Sequence, residues 1–425
     1  MMSFKDLFAA ELNSTATTTR TLKEGECQSA SGQRCSLCYA VTTNYDTEAA
    51  CKDRAAASFW SGLGTAICCS RLVPSPRGRA YRTVTKRKAF HQHGSMRLGF
   101  VGPADNPPPG GMSVGHCAIE PPSHAAIYHL IEEELHARST APLSELLLYA
   151  VIKGNYREHT VILNVREITP ALVRAANAVS KSLTRQLGAM ITGIFLFEGD
   201  PQARYYLGTQ DRRALPELRK LFGKKDLFVR VEGKVFLYPP LSFSQVNESL
   251  LDGFIAGARG LLAPSPGNMF YDFYCGYGLF ALCFSPDVRN VIGVEASHQS
   301  VAAATSNARR QHAANARFVQ AVINADVIET LMQKSPPHSL VLLDPPRSGT
   351  AEGVIESIAD RQPARILHIF CNMDVLPGEL KRWSSAGYVP VRAVPFDMFP
   401  GTPELEMMVL VQPEQSLRRS NERSG

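Results

Sequence analysis

Two residues near the C-terminal end of the chain carry groups suited to covalent chemistry at a carbon atom. Cys371 follows the apolar run "RILHIF", with Asn372 beside it, and Glu406 opens the run "EMMVLVQP" after "FDMFPGTPEL". A thiolate is a nucleophile, and a carboxylate can take a proton from carbon. Uracil C5 is too weak a nucleophile to attack a methyl sulfonium. A thiolate adding at C6 makes C5 enolate-like, and a base must then remove the C5 proton so that the thiolate can leave. Cys371 fits the first role and Glu406 the second. The thiolate must be populated near neutral pH, so Arg347 or local backbone dipoles are expected to depress its pKa. Taken singly, a lone cysteine is more often a small buried hydrophobe, and a strand-end glutamate a solvated carboxylate. Their position at neighbouring strand ends favours the chemical role. A stacked base cannot react, so the target must be flipped out or unpaired. Phe243 and Gln245 in "SFSQVN" offer a stacking face and an amide for the base or the cofactor.

A methyl donor needs its own site. The turn Asp272-Phe273-Tyr274-Cys275-Gly276-Tyr277-Gly278 ends a strand-like run, and its glycines let backbone approach a ligand. The next strand ends in Glu295, which can accept hydrogen bonds from both ribose hydroxyls of an adenosine. Asp344 heads "DPPRSG", where consecutive prolines stiffen the loop. Gly276 and Gly278 before an acid also fit a dinucleotide oxidoreductase, but the third glycine of that fingerprint is missing. S-adenosylmethionine is therefore the expected cofactor.

These residues need a sheet to bring them together. From about Gly253 onward, strand-like runs alternate with helix-like ones, which predicts a parallel, doubly wound α/β sheet. Upstream, "LLLYAVI", "HTVILNV" and "MITGIFLFEG" read as strands. "ITPALVRAANAVSKSLTRQL" reads as a helix capped by Thr169, and "SHAAIYHLIEEELHAR" as a helix opened by Ser123. This is α+β texture. The expected division is a flexible tail over 1–26, an α+β RNA-binding domain over 27–240, a Rossmann-like α/β domain over 241–414 and a second tail over 415–425. The net charge of +6 suits a polyanionic partner. No acid falls between Asp53 and Asp105, whereas Arg54, Arg71, Arg77, Arg79, Arg82, Lys86, Arg87, Lys88 and Arg97 do. Such a stretch attracts phosphates or forms a solvated surface. Tyr81, His91 and His93 within it are candidates for stacking on bases. No apolar run is long enough to span a membrane, and the N-terminal residues lack a secretory layout, so a cytoplasmic protein is expected.

Together, "SFSQVN", "DFYCGYG", "GVEAS", "LLDPPRSG", "FCN" and "FDMFPGTPELE" resemble the uracil-5-methyltransferase family that modifies ribosomal and transfer RNA, over roughly 241–412. The resemblance implies a class I methyltransferase fold. It implies cofactor contacts at Gln245, Tyr274, Gly276, Gly278, Glu295 and Asp344, a nucleophile at Cys371 and a base at Glu406. Several residues depart from the pattern. Ser244 replaces an aromatic, Leu279 a small or polar residue and Met373 a proline. Gly401 and Glu404 stand at two usual histidine positions, which makes Glu404 a rival to Glu406.

Ten cysteines in a chain of this kind argue for thiols, a metal or a cluster rather than disulfides. Cys27, Cys35 and Cys38, with the distant Cys117, could bind zinc or an iron–sulfur cluster, and spacing does not choose between them. Cys51, Cys68 and Cys69 are rivals for the fourth place. The resemblance implies a 4Fe-4S cluster on Cys27, Cys35, Cys38 and Cys117 that staples the RNA-binding domain. The cysteine spacing and that cluster also favour 23S ribosomal RNA over transfer RNA as the partner; a monomer with no obligatory protein partner and no membrane is expected. Rival readings are a cytosine or adenine methyltransferase, an inactive RNA-binding or assembly factor, and a nicotinamide oxidoreductase. Arg347 stands where an adenine enzyme needs an aromatic, and Cys371 lacks the second nearby cysteine typical of cytosine enzymes.

Overall fold

A computed structural model describes residues 2–15, 38–65, 67–92, 95–101, 115–203, 206–207, 218–332 and 338–415. The chain opens with helix α1 (Phe4–Ser14), where a loose tail was expected. Ser3 caps it, its hydroxyl accepting from the Asp6 N–H at 3.2 Å. Phe4, Phe8 and Leu12 recur every fourth residue and are fully buried, which contributes roughly 1.5–3 kcal/mol each. They pack with Phe59 and Trp60 of α2 (Tyr45–Ser61) into the core that holds Tyr271, Phe273, Phe370 and Trp383. The N-terminal segment is thus built into the C-terminal core, and a single cut near residue 240 does not describe the packing.

The middle of the chain forms a six-stranded sheet in the order β2-β1-β3-β4-β5-β6. Its strands are β1 (Thr85–Gln92), β2 (Ser95–Gly99), β3 (Leu147–Gly154), β4 (His159–Val165), β5 (Ile191–Glu198) and β6 (Leu218–Gly223). The β4–β5 pair is parallel and the others antiparallel. Helices α3 (Pro122–Leu135), α4 (Ala141–Leu146) and α5 (Pro170–Leu187) cover one face. Thr169 caps α5 as expected, accepting from the Leu172 N–H. The α3 helix starts one residue before Ser123, with Pro121 at its cap and Pro122 in its first turn. A hairpin of β7 (Leu227–Val231) and β8 (Lys234–Tyr238) leads onward.

The second sheet has the order β11-β10-β9-β12-β13-β15-β14. It comprises β9 (Met269–Phe273), β10 (Asn290–Glu295), β11 (Ala316–Gln320), β12 (Ser339–Leu343), β13 (Arg365–Phe370), β14 (Tyr388–Phe396) and β15 (Glu406–Pro413). The strands β9 to β13 run parallel, and β15 runs antiparallel between β13 and β14. Between them come α6 (Leu251–Leu262), α7 (Leu279–Phe284), α8 (His298–Arg310), α9 (Ala325–Leu331), α10 (Val354–Asp360) and α11 (Leu376–Ser385). Beyond β14, residues 70–73 run alongside it. Ser70 N–H donates to the Ala393 carbonyl and Val73 N–H to the Pro395 carbonyl, each at 2.8 Å. Among the described residues no helix is long and apolar enough to cross a membrane.

Part of the basic stretch is paired with acids of the same chain. Arg54 pairs with Glu11 at 2.6 Å, Arg79 with Glu48 at 3.0 Å and Arg87 with Glu120 at 2.6 Å. Tyr81 is fully buried and offers no face to a base. His91 is exposed, and His93 lies outside the described residues.

Candidate active site

The ends of β9, β10, β12 and β13, and the start of β15, share one edge of the second sheet, where such folds bind ligands. The register of β13 on β15 pairs Ile366 with Val411 and Phe370 with Met407. Cys371 and Glu406 are the next residues beyond that last pair, and Glu406 is close enough to act on the thiol electrostatically. Beneath Cys371, Phe370 stacks on His368 at 4.0 Å, and the Trp383 indole N–H donates to His368 Nδ1 at 3.1 Å. Burial holds His368 down at about 3, so it is a neutral acceptor and its contact with Glu379 is not an ion pair.

The loop after β12 is fixed from two sides. Asn372 Nδ2 donates to the Arg347 carbonyl at 3.0 Å, and the Thr350 hydroxyl donates to Glu379 at 2.9 Å. The Pro345 carbonyl lies 4.0 Å from Cys371 Sγ. This places Asp344 and Arg347 on the flanks of the thiol.

The electrostatics run against one expectation. Burial pushes the Cys371 thiol up to about 12, Glu406 and Asp344 add to the rise, and Arg347 opposes it without prevailing. Arg347 therefore lowers the thiol's pKa, as expected, but does not set it. Glu406 is only 3% exposed, and its Oε2 has no hydrogen-bond partner among the described residues. Burial holds its carboxyl well above the usual range, Asp344 and Glu404 add, and Arg347 pulls the other way. Burial also raises Asp344, to about 7. Burial therefore favours the protonated forms of Glu406 and Asp344, and Asp344, at about 7, is ionised in part at neutral pH.

Glu404 is a weak rival as base. Lys5 of α1 reaches its Oε1 at 3.1 Å and Arg347 its Oε2 at 3.5 Å, so both oxygens face cations. Nothing near Lys5 in the sequence announces this contact; it exists because Phe4 and Phe8 dock α1 against the catalytic core. Alkylation of Cys371, followed on its own peptide by mass spectrometry, is expected to rise about tenfold per pH unit between pH 7 and 9. Glu404→Gln should accelerate it, because the change removes a negative charge and releases Arg347 toward the thiol. Unchanged alkylation in a folded Glu404→Gln protein would break this link.

The cofactor residues converge at the neighbouring strand ends. Glu295 accepts from Gly276 N–H at 3.2 Å and from Ser297 N–H at 2.8 Å, one on each oxygen. These contacts fix the carboxylate and leave lone pairs for a vicinal diol. Tyr274 takes a left-handed φ of 68°, which turns the chain sharply after β9. At Gly278, with φ 86°, a Cβ would lie 3.1 Å from Phe318 and 3.2 Å from Ala304. Buried Asp272 accepts from Ala281 N–H at 2.8 Å and ties the turn to α7. The turn, Glu295 and Asp344 together suit an adenosine-bearing methyl donor. Gln245 lies partly exposed on a separate segment, next to Phe243, whose ring is 67% exposed.

The departures from the family pattern are mostly packing. Ser244, Leu279 and Met373 are buried. Gly401, with φ 82°, has no room for a side chain, since a Cβ would lie 2.8 Å from Ile119 and 2.9 Å from Ala40. Its N–H donates to Glu48, and its carbonyl accepts from Tyr39 N–H at 2.7 Å.

Of the four expected cluster ligands, Cys27 and Cys35 lie outside the described residues. Cys117 is buried, and its thiol is raised by burial first, with Cys38 among the nearby groups that add to it. Among the described residues no group of three or more His, Cys, Asp or Glu is arranged to hold a metal.

The order of the second sheet, with its reversed β15 and the acid at the end of β10, defines a class I methyltransferase fold. A Pyrococcus abyssi tRNA (uracil-54, C5)-methyltransferase, solved with S-adenosyl-L-homocysteine, shares this fold at a TM-score of 0.66 and 19% identity, over 87% of this chain and 84% of that one. Residues 219–414 match the model of the family described as tRNA (Uracil-5-)-methyltransferase. The likeness to the RNA uracil-5-methyltransferase family thus lies in residues 219–414, a little under half of the chain. A 23S rRNA (uracil(1939)-C(5))-methyltransferase RlmD of Aliivibrio salmonicida is 32% identical over 195 residues, 46% of this chain and 44% of that one. An uncharacterized RNA methyltransferase of Geobacter sulfurreducens is 28% identical over 360 residues, 82% of this chain and 69% of its own length. The chain covers less than half the length of the RlmD relative it matches.

Proposed function

We propose that this protein methylates C5 of a uridine in RNA, with 23S ribosomal RNA the favoured substrate, through a covalent adduct of Cys371 at C6. The observation that carries this reading is the β13–β15 register, whose last pair, Phe370 with Met407, brings Cys371 and Glu406 to neighbouring strand ends at the cofactor edge of the sheet. S-adenosylmethionine, when bound by Glu295, Asp344 and the 274–278 turn, supplies the methyl group. Cys371 adds to C6, its proton passing to a neighbouring carboxylate, and Glu406 then takes the C5 proton so that the C6–S bond can break. Buried Glu406 suits that last task, since a carboxylate shielded from water is a stronger base toward carbon once deprotonated.

Ribosomal RNA is favoured because the RlmD relative is named for 23S rRNA. Transfer RNA is the second reading, favoured by the likeness in fold to the Pyrococcus enzyme. A 4Fe-4S cluster on Cys27, Cys35, Cys38 and Cys117 belongs to the same proposal. It is supported by the meeting of the segments next to Cys38 and Cys117 at Gly401, whose carbonyl accepts from Tyr39 N–H and which packs against Ile119. In this reading the protein works as a cytoplasmic monomer. The test is incubation with labelled S-adenosylmethionine and unmodified ribosomal or transfer RNA, followed by nucleoside analysis. Label in 5-methyluridine from 23S RNA is expected; label only in cytosine or adenine would overturn the assignment.

A further inference from the structure

The six-stranded sheet has a second face, and its chemistry differs from that of the face under α3 and α5. On β1, Thr85, Arg87 and Ala89 point toward α3, where Thr85 meets His124 and Arg87 meets Glu120. The alternate residues Lys86, Lys88 and Phe90 point the other way. Lys86 Nζ lies 4.4 Å from the centre of the Tyr206 ring and 5.8 Å from that of Tyr149, and Lys88 Nζ lies 5.7 Å from that of Phe90. In the sheet register Lys88 pairs with Tyr149 on β3, and Phe90 with the exposed Arg97 on β2. Three cations and three rings therefore share one face. Neither β1 nor β2 carries an acid, and none of the residues paired across this face is acidic. Burial and the neighbouring Arg82 together make Lys86 hold its proton less tightly than a free lysine does.

This face is continuous with the catalytic half of the molecule. Thr83 N–H donates to the Val246 carbonyl at 2.9 Å, and Arg82 bridges to Asn247. The strand that becomes β1 thus starts beside Gln245 and carries its cations away from it. Lys153 of β3, fully buried, donates to the carbonyls of Pro240 at 2.8 Å and Ser242 at 2.5 Å, which ties the segment bearing Phe243 to the same sheet.

We propose that this face is a stacking platform for a single-stranded stretch of RNA flanking the target nucleotide, with bases on Tyr149, Phe90 and Tyr206 and phosphates on Lys86, Lys88 and Arg97. The inference rests on the uridine methyltransferase reading for the identity of the RNA. Rings interleaved with cations are what an unpaired strand recognises: each base has a face to stack, and each phosphate needs a counter-charge. A duplex presents no free base faces and gains nothing from the rings.

The test is fluorescence anisotropy of the full-length protein with a labelled twelve-residue oligouridine, across a salt series. Lys86→Ala with Lys88→Ala should weaken binding about tenfold at 0.1 M salt and flatten the log–log salt slope by about 1.4, two released counterions on a single strand. Tyr149→Ala should weaken binding at least fivefold and leave the slope unchanged, because stacking releases no counterion. Circular dichroism and the thermal midpoint establish that the variants are folded. Folded variants that bind like the wild type, or a wild-type protein that ignores the oligomer, overturn the platform. If the wild type binds and the variants fail, but no RNA acquires 5-methyluridine, the platform stands and the assigned activity falls.

Discussion

Replacing Cys371 by alanine is expected to abolish 5-methyluridine formation, and Glu406→Gln to trap a protein–RNA adduct that survives denaturation. The two outcomes differ because, in the proposed mechanism, the residues act at opposite ends of one covalent sequence. Without the thiol, C6 is never attacked and C5 stays inert toward a methyl donor. Without the carboxylate, addition and methylation can still occur, but the C5 proton remains and the C6–S bond does not break. Loss of a positioned base lowers turnover by about 10²–10⁴, while the adduct accumulates in proportion to enzyme. A gel shift that persists in detergent, seen for Glu406→Gln and absent from Cys371→Ala and the double variant, checks the order of steps. Full activity in Cys371→Ala would remove the covalent mechanism and leave only the fold. An adduct in Glu404→Gln instead would transfer the base to Glu404, against the ion pairs that engage both of its oxygens.

The raised thiol sharpens this expectation. Burial is the first cause of the raised Cys371 thiol, Glu406 and Asp344 add to it, and the Arg347 guanidinium that opposes them is 59% exposed, where water screens it. A nucleophile held in its thiol form at rest resists oxidation and stray alkylation. It needs the loaded site to become reactive, so alkylation of the resting protein should be slow at neutral pH for a cysteine that is partly exposed.

The C-terminal half of the fold was legible because each strand of its parallel sheet is a short apolar run ending in a distinctive turn. The runs of β9, β10, β12 and β13 end at Phe273, Glu295, Leu343 and Phe370, and the residues that follow or close them are the site. What sequence could not supply was β14. Tyr388–Phe396 contains Pro390 and Pro395, which argue against a strand, yet it lies beyond β15 with a break in register between Pro390 and Arg392. The nearness of Glu406 to Cys371 depends on the β13–β15 register, a long-range pairing that no local pattern encodes. Arg87 and Arg79 looked like part of a phosphate-binding stretch because charge counting does not reveal which cations already have buried acids as partners.

Helix α1 was misjudged for a related reason. Its apolar positions are few, and Lys5, Asp6 and Glu11 between them read as the mark of a tail. Those charges have partners on other elements: Lys5 meets Glu404 and Glu11 meets Arg54. A short amphipathic helix is marginal alone and stable only against its docking surface, so its sequence carries little signal until the surface is known.

Replacing buried Lys52 is expected to destabilise the half of the fold that holds the candidate site. Lys52 on α2 is fully buried, with Nζ 2.7 Å from Asp397 and 3.3 Å from Glu48, and it donates to the Phe399 carbonyl at 3.0 Å. Glu48 in turn accepts from Gly401 N–H. These contacts hold residues 397–401, the segment that delivers Glu406 to the head of β15. Replacing Lys52 by methionine keeps most of the volume and deletes the charge, leaving Glu48 and Asp397 buried with Arg79, at 3.0 Å from Glu48, as the remaining cation paired with them among the described residues. Breaking a buried pair this way costs about 3–5 kcal/mol, to be read from urea denaturation of the two proteins. Adding Asp397→Asn should recover part of the loss, because it removes the orphaned charge that Lys52 had balanced. Methyl transfer should fall further than RNA binding, since the displaced segment leads to Glu406, the proposed base, and not to the basic face of the six-stranded sheet. A Lys52→Met protein as stable as the wild type would mean that water reaches these carboxylates and that the 397–401 segment is held by Gly401 packing on Ala40 and Ile119 alone.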